Sequence, residues 1–203
     1  LGEHCVERAG IGFCLAAKYH PAFRFAAPSR REIGVPTAFN LLGPMANPAR
    51  VTRQVIGVAN ASFAERMVES LGIHGSRHAW VVNGPGLDEL STTGPSHVIE
   101  LRDGHVHSFT VDCVDYDLPR VQPEDLVGGL PHENAAIARQ VLGGAPGAHR
   151  DIVVLNAAAG LVVGGAVDDL GAGVQAAAAA IDSGAAAAAL DALVRESQAA
   201  MAD

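Results

Sequence analysis

The chain has 203 residues, 49% of them apolar and 18% charged, and a formal net charge of −8. That is material for one sizeable domain, and the acidity repels phosphate backbones and anionic membrane surfaces, which argues against a nucleic-acid or membrane-surface role. With only 4% aromatics, Ala, Val, Leu and Gly must fill the core, a composition that suits close helix–sheet packing. Three cysteines, Cys5, Cys14 and Cys113, form no CxxC pair; they argue against a disulfide framework or a thiolate zinc site and suit a reducing cytoplasm. No basic-then-apolar leader opens the chain, so no secretory signal is expected. The apolar stretch 152–167 is too short to span a membrane and is interrupted by Asn156.

In chain order, the first residues predict a helix ending near Gly10 or Gly12. A polar stretch with two prolines and one short helical piece follows, then breakers at Gly43-Pro44 and Asn47-Pro48. The β-branched run QVIGVA (54–59) predicts a buried strand. ASFAERMVESLG (61–72) spaces Phe63, Met67, Val68 and Leu71 as one helix face closed by Gly72. HAWVVNG (78–84) predicts a second strand, parallel to the first through a right-handed crossover. HVIELRDGHVHSFTV (97–111) predicts an antiparallel hairpin, because Asp103-Gly104 between alternating runs signals a type I′ turn. Beyond Glu124 the pattern is mainly helical, with a helix over 132–144, a strand running into a helix over 151–163, and two Ala-rich helices separated by Asp182-Ser183-Gly184. The expected fold is a single α/β domain over 1–203, with a mostly parallel central sheet, flanking helices and one antiparallel hairpin.

NGPGLDELSTTG (83–94) is the sharpest local feature. It follows a strand, and ligands of open α/β sheets gather beyond the carboxyl ends of strands. Asp88 and Glu89 adjoin in a Gly-rich loop flanked by Ser91, Thr92 and Thr93, and Mg²⁺ takes one or two carboxylates plus substrate phosphates; the bland alternative is a solvated acidic turn. HPAFRFAAPSRREIG (20–34) gathers His20, Arg24, Arg30 and Arg31 in an acidic chain. A guanidinium fork suits a carboxylate, and the alternative is a surface ion pair such as Arg31 with Glu32. His105 and His107 share a strand face, with no third metal ligand suggested, so an exposed polar face is expected. Asn134 and Asn156 each begin an Asn-Ala-Ala run and are expected to cap or cross-link backbone. No Ser-His-Asp order, GxSxG, Walker A or GxGxxG occurs.

Together these stretches resemble the anthranilate phosphoribosyltransferase family, with matching order and spacing through nearly all 203 residues. GIGFCLAAKYHPAFRFAAPSRREIGVPTAFNLLGPMANP is similar to its acceptor-site segment, NGPGLDELSTTG to its metal loop, and GGLPHENAAIARQVLGG and DIVVLNAAAGL to its C-terminal elements. The resemblance implies a large domain of the nucleoside phosphorylase/phosphoribosyltransferase kind, and transfer of 5-phosphoribosyl from phosphoribosyl pyrophosphate to the amine of anthranilate in tryptophan biosynthesis. It implies that Arg30 holds the anthranilate carboxylate, that His20 and Phe23 line the acceptor channel, and that Asp88 and Glu89 hold Mg²⁺ against the donor pyrophosphate. No catalytic acid or base is assigned. The family's small helical domain, its G-T-G-G-D loop and its K-H-G-N-R segment are not in this sequence. The family therefore implies about 130 further residues in front of Leu1, judged against an ordinary two-domain length, and near-inactivity of the 203-residue chain alone. The family usually dimerises through that helical domain. The rival expectations are a non-catalytic homologue binding another ligand or nucleic acid, and a nucleoside phosphorylase-like enzyme.

Overall fold

The computed structural model describes residues 2–14, 16–34, 43, 45 and 47–202. Its backbone groups into two compact units, Leu1–Arg50 with Ala188–Asp203, and Val51–Ala187. The first unit holds α1 (Gly2–Ala9), α2 (Ala16–Tyr19), α3 (Phe23–Ile33) and most of the last helix, α8 (Ala185–Ala202). Cys5 is buried, and His4 Nε2 lies 3.3 Å from a Glu196 carboxylate oxygen, joining α1 to α8. The polar stretch after Lys18 is more helical than expected: α3 runs eleven residues and carries Pro28 inside it. Pro44, half of the expected Gly43-Pro44 break, lies outside the described residues. Asn47 does make a turn, its side chain accepting from Ala49 N–H at 2.9 Å and its carbonyl from Arg50 N–H at 3.1 Å.

The second unit is built on a four-stranded sheet in the order β1 (Arg53–Gly57), β2 (His78–Asn83), β3 (Ser96–Arg102) and β4 (His105–Val111). β1 and β2 are parallel, joined through α4 (Ala64–Ile73) as the strand–helix–strand pattern predicts. The β3–β4 hairpin turns at Asp103 and Gly104, with φ of 49° and 85°, the double positive φ that a type I′ turn requires. The α/β class, the parallel pair and the hairpin follow the sequence reading. The sheet as a whole is mixed, not mostly parallel: β2–β3 and β3–β4 are both antiparallel.

The strand expected to open 151–163 does not form, whereas the helix expected to follow it does and takes in the whole stretch. Those residues lie in one helix, α6 (Ala148–Gly164). A buried apolar run cannot be assigned by periodicity alone, and this helix is apolar on most of its circumference because it is covered on two sides. Leu155, Ala158, Ala159, Val162 and Val163 meet Trp80, Val82, Val98 and Val111 of the sheet. Val154 joins Val141 of α5 (Pro131–Leu142) and Ala177 and Ile181 of α7 (Leu170–Asp182). The opposite sheet face buries Ala79, Val81, Ile99 and Leu101 on the side of Met67, Val68 and Leu71 of α4. No single helix among the described residues is long and apolar enough to cross a membrane.

Candidate functional site

The loop after β2 is held in place by contacts that no side chain could enlarge. At the end of β1, Gly57 lies so close to the loop that a Cβ there would fall 1.4 Å from the Asp88 carbonyl oxygen. A Cβ on Gly84 would fall 2.5 Å from the Glu89 carbonyl oxygen and 2.7 Å from Ser91 Cβ. Only glycine permits such approach of backbone to backbone. The loop closes on itself through reciprocal bonds between Gly84 and Leu87, 3.0 and 3.2 Å. Its polar side chains brace it from inside: Ser96 Oγ accepts from Ser91 N–H at 2.8 Å, and Ser91 Oγ accepts from Thr93 N–H at 3.0 Å and lies 2.8 Å from Thr93 Oγ1. These hydroxyls therefore serve the loop's own backbone.

Two asparagines act as expected, and in the same way. Asn156 Oδ1 accepts from Leu90 N–H at 2.9 Å while its Nδ2 donates to Leu90 carbonyl oxygen at 2.7 Å and to Ile152 carbonyl oxygen at 3.0 Å. Asn134 grips Gly129 likewise, at 2.7 and 3.0 Å.

On this frame Asp88 is exposed and Glu89 is half-buried. Burial, and then the neighbouring Asp88 charge, push the Glu89 carboxyl above its ordinary value of 4.5. Two adjoining acids, one of them raised because it is buried beside the other's charge, form a site that a cation would relieve. No cluster of three or more His, Cys, Asp or Glu suited to a metal occurs among the described residues. Asp88 and Glu89 are the side chains here that could hold a hard cation, which takes one or two carboxylates together with other oxygens. Glu89 also borders an apolar cavity of about 460 Å³, walled by Leu126, Ile137, Val141 and Ile152 among others.

The residues expected on the acceptor side, His20, Phe23 and Arg30, belong to the other unit. His20 is half-buried between α2 and α3. The backbones of Phe23 and Arg30 are on α3, and the side chains of both fall outside the described residues. Arg24 stacks over Phe25, its guanidinium carbon 4.8 Å from the ring centroid. His105 and His107 are exposed as expected.

Residues 2–187 match the family model described as "Glycosyl transferase family, a/b domain". The chain belongs to this glycosyl transferase family. Among relatives, it is 50% identical over 193 residues to an anthranilate phosphoribosyltransferase of Beijerinckia indica subsp. indica, a match covering 95% of this chain and 56% of the relative. Among solved structures, it is similar to the anthranilate phosphoribosyltransferase of Thermus thermophilus, at 38% identity and a TM-score of 0.84 over 93% of this chain and 56% of that one. It is also similar to a variant of the Saccharomyces cerevisiae enzyme with Mg bound, at 25% identity and a TM-score of 0.77 over 84% of this chain and 50% of that one. The chain thus spans a little over half the length of the curated relatives it matches.

The glycosyl transferase domain also contains a polar cluster that no motif announced. On the sheet face covered by α6, Glu100 sits directly across from Trp80 and His107. Its Oε1 accepts from His78 Nε2 at 2.6 Å and from Trp80 Nε1 at 2.8 Å, and its Oε2 lies 3.1 Å from His107 Nε2. The only sequence signal was an acidic residue inside the otherwise apolar run 98–101 of β3.

Proposed function

We propose that this chain is the metal- and acceptor-binding portion of an anthranilate phosphoribosyltransferase, with Asp88 and Glu89 holding Mg²⁺ and Arg30 holding the carboxylate of anthranilate. The observation that carries the reading is the acidic pair itself, fixed by glycine contacts beyond the carboxyl end of β2, in a chain about 50% identical to proteins of that name. When bound, Mg²⁺ supplies a Lewis acid that offsets charge on the departing pyrophosphate of phosphoribosyl pyrophosphate. The chain's own contribution is placement. Asp88 and Glu89 present two anionic oxygen ligands from a rigid turn. A guanidinium at Arg30 aims the aromatic amine by gripping its carboxylate bidentately, and His20 and Phe23 flank the ring. A weakly basic aromatic amine needs little proton removal before attack, so orientation and charge neutralisation account for the rate, and no general base is assigned.

Titration calorimetry of the chain with Mg²⁺ tests the metal half of this reading. Binding should saturate. It should strengthen as pH rises above 4.5, because Glu89 releases its proton later than an ordinary carboxyl and protons compete with the metal. E89Q should bind far more weakly, yet in the absence of metal it should melt at a higher temperature than the parent at neutral pH. The sign follows from linkage: a carboxyl whose folded pKa is raised costs stability once it is ionised. Equal Mg²⁺ affinity in the parent, D88N and E89Q would remove the metal assignment.

The acceptor half is tested in the protein extended to its relatives' full length. Arg30→Ala should raise KM for anthranilate by about 10²-fold, the loss of one bidentate charged pair, with much less effect on KM for the donor. Equal losses for the two substrates would show that Arg30 does not select the acceptor.

A further inference from the structure

Asn156 stands 66 residues beyond Leu90 in sequence, on the middle of α6, yet its amide spends all of its observed bonds on two backbone groups of Leu90 and one of its own helix. Leu90 immediately follows Glu89. Its side chain is fully buried in the core against the sheet and α6, so the hydrophobic contacts already anchor that residue without the amide. What the amide adds is orientation. By pairing with both the N–H and the carbonyl of one residue, it imitates a neighbouring strand and fixes the rotation of the two peptide units that flank Leu90. One of those units is the Glu89–Leu90 peptide, whose carbonyl is the group pressed against Gly84. Rotation of that peptide would swing the Glu89 Cα–Cβ bond and, through it, the separation of the two carboxylates.

The side-chain type is specific to this task. Aspartate would keep an acceptor for Leu90 N–H but would face two carbonyl oxygens with no donor; alanine would leave all three backbone groups without this partner. The third bond, to Ile152 carbonyl oxygen one turn earlier, holds the amide in one rotamer, so the clamp inherits the rigidity of a helix buried on two sides.

We infer that Asn156 is a positioning residue for the acidic pair: it sets the backbone of Glu89 and Leu90 so that Asp88 and Glu89 converge on one cation. The inference rests on the metal role proposed above, but its structural part can be read without metal. Residues that orient metal ligands from behind change metal affinity by about 10–100-fold when removed, and that is the scale expected here.

The experiment compares the parent chain with N156A, N156D and D169A. Asp169 caps α7, accepting from Ala172 N–H at 2.8 Å, so D169A lowers stability by removing a helix cap while leaving the Asn156 bonds to Leu90 in place. Two readouts are taken. Amide hydrogen exchange should accelerate at Leu90 in N156A, which removes the acceptor of its N–H, and stay unchanged there in D169A. Mn²⁺, used as a paramagnetic probe, should broaden the amides of residues 84–94 in the parent, with affinity falling about tenfold or more in both Asn156 variants and staying near the parent value in D169A. Unchanged exchange at Leu90 in N156A would overturn the positioning role, as would Mn²⁺ affinity that tracks overall stability across all three variants. Should the parent show no saturable Mn²⁺ broadening while N156A still loosens the loop, the clamp stands and the metal reading of Asp88 and Glu89 falls instead.

Discussion

Gly57→Ala is expected to destabilise the chain by about 3 kcal/mol or more, at the upper end of what overpacking costs. The methyl group would coincide with the Asp88 carbonyl, 1.4 Å from the oxygen and 2.4 Å from its carbon. Both partners are backbone, so no rotamer change relieves the clash. Either β1 withdraws from β2 or the loop is pushed off the strand end. Withdrawal of β1 would strain the bond from Val58 N–H to Val82 carbonyl at 2.9 Å and the one from Asn83 Nδ2 to Val58 carbonyl at 2.7 Å. Gly160→Ala supplies the opposite sign. That glycine is exposed on α6, and a Cβ there meets nothing within 4 Å, so the change should stabilise by roughly 0.5–1 kcal/mol through helix propensity alone. Denaturant midpoints of the two variants against the parent check both. A Gly57→Ala protein as stable as the parent would mean that the loop does not rest on β1 as described. Its Mg²⁺ affinity should fall along with its stability, because displacing Asp88 spreads the acidic pair.

What was legible in the sequence follows from which forces act locally. The type I′ turn could be read because Asp103-Gly104 needs nothing beyond its own φ preferences. The β1–α4–β2 crossover could be read because one face of α4 and two short β-branched runs show their periods within a dozen residues. The strand expected at 151–163 failed for the converse reason: burial from both the sheet and α7 removes the polar face that would mark a helix, and what remains looks like a central strand. Asp88 and Glu89 stood out because two acids in a Gly-rich turn after a strand are chemically conspicuous. The parts that hold them were far less visible. Gly57 appears as a weak point in a strand, and its meaning depends on a loop 31 residues on. Asn156 showed only that a helical amide had backbone to bind, not which backbone. The balance of parallel and antiparallel pairing depended on β3 joining β2 directly, and the loop between them is too long for its Gly and Pro residues to specify a hairpin.

Glu100→Ala is expected to cost about 3 kcal/mol at neutral pH, the scale for removing one partner from a buried, charge-assisted network. Glu100 is 6% exposed and His78 and Trp80 4% each, so truncation leaves the imidazole and indole N–H groups facing a cavity without an acceptor. The same site should govern acid sensitivity. Burial alone would raise the Glu100 carboxyl, but the hydrogen bonds from Trp80 and His78, aided by the charges of His78 and His107, outweigh it and hold the carboxyl below its ordinary 4.5. A depressed carboxyl gives its full stabilisation above its unfolded value and loses it as pH falls through the folded one. The parent should therefore weaken progressively below about pH 4.5 as Glu100 is protonated. Glu100→Gln keeps the shape and one acceptor oxygen but has no charge to lose. It should be less stable than the parent at pH 7 by about 1–2 kcal/mol, the charge-assisted part of the bonds, and its stability should fall less steeply in acid, so that the two curves converge as pH drops. Denaturation midpoints measured from pH 3 to 7 decide the matter. Parallel curves for the parent and Glu100→Gln would show that the folded chain does not hold this carboxyl ionised, and that the Trp80–Glu100–His78 contacts contribute shape and not charge.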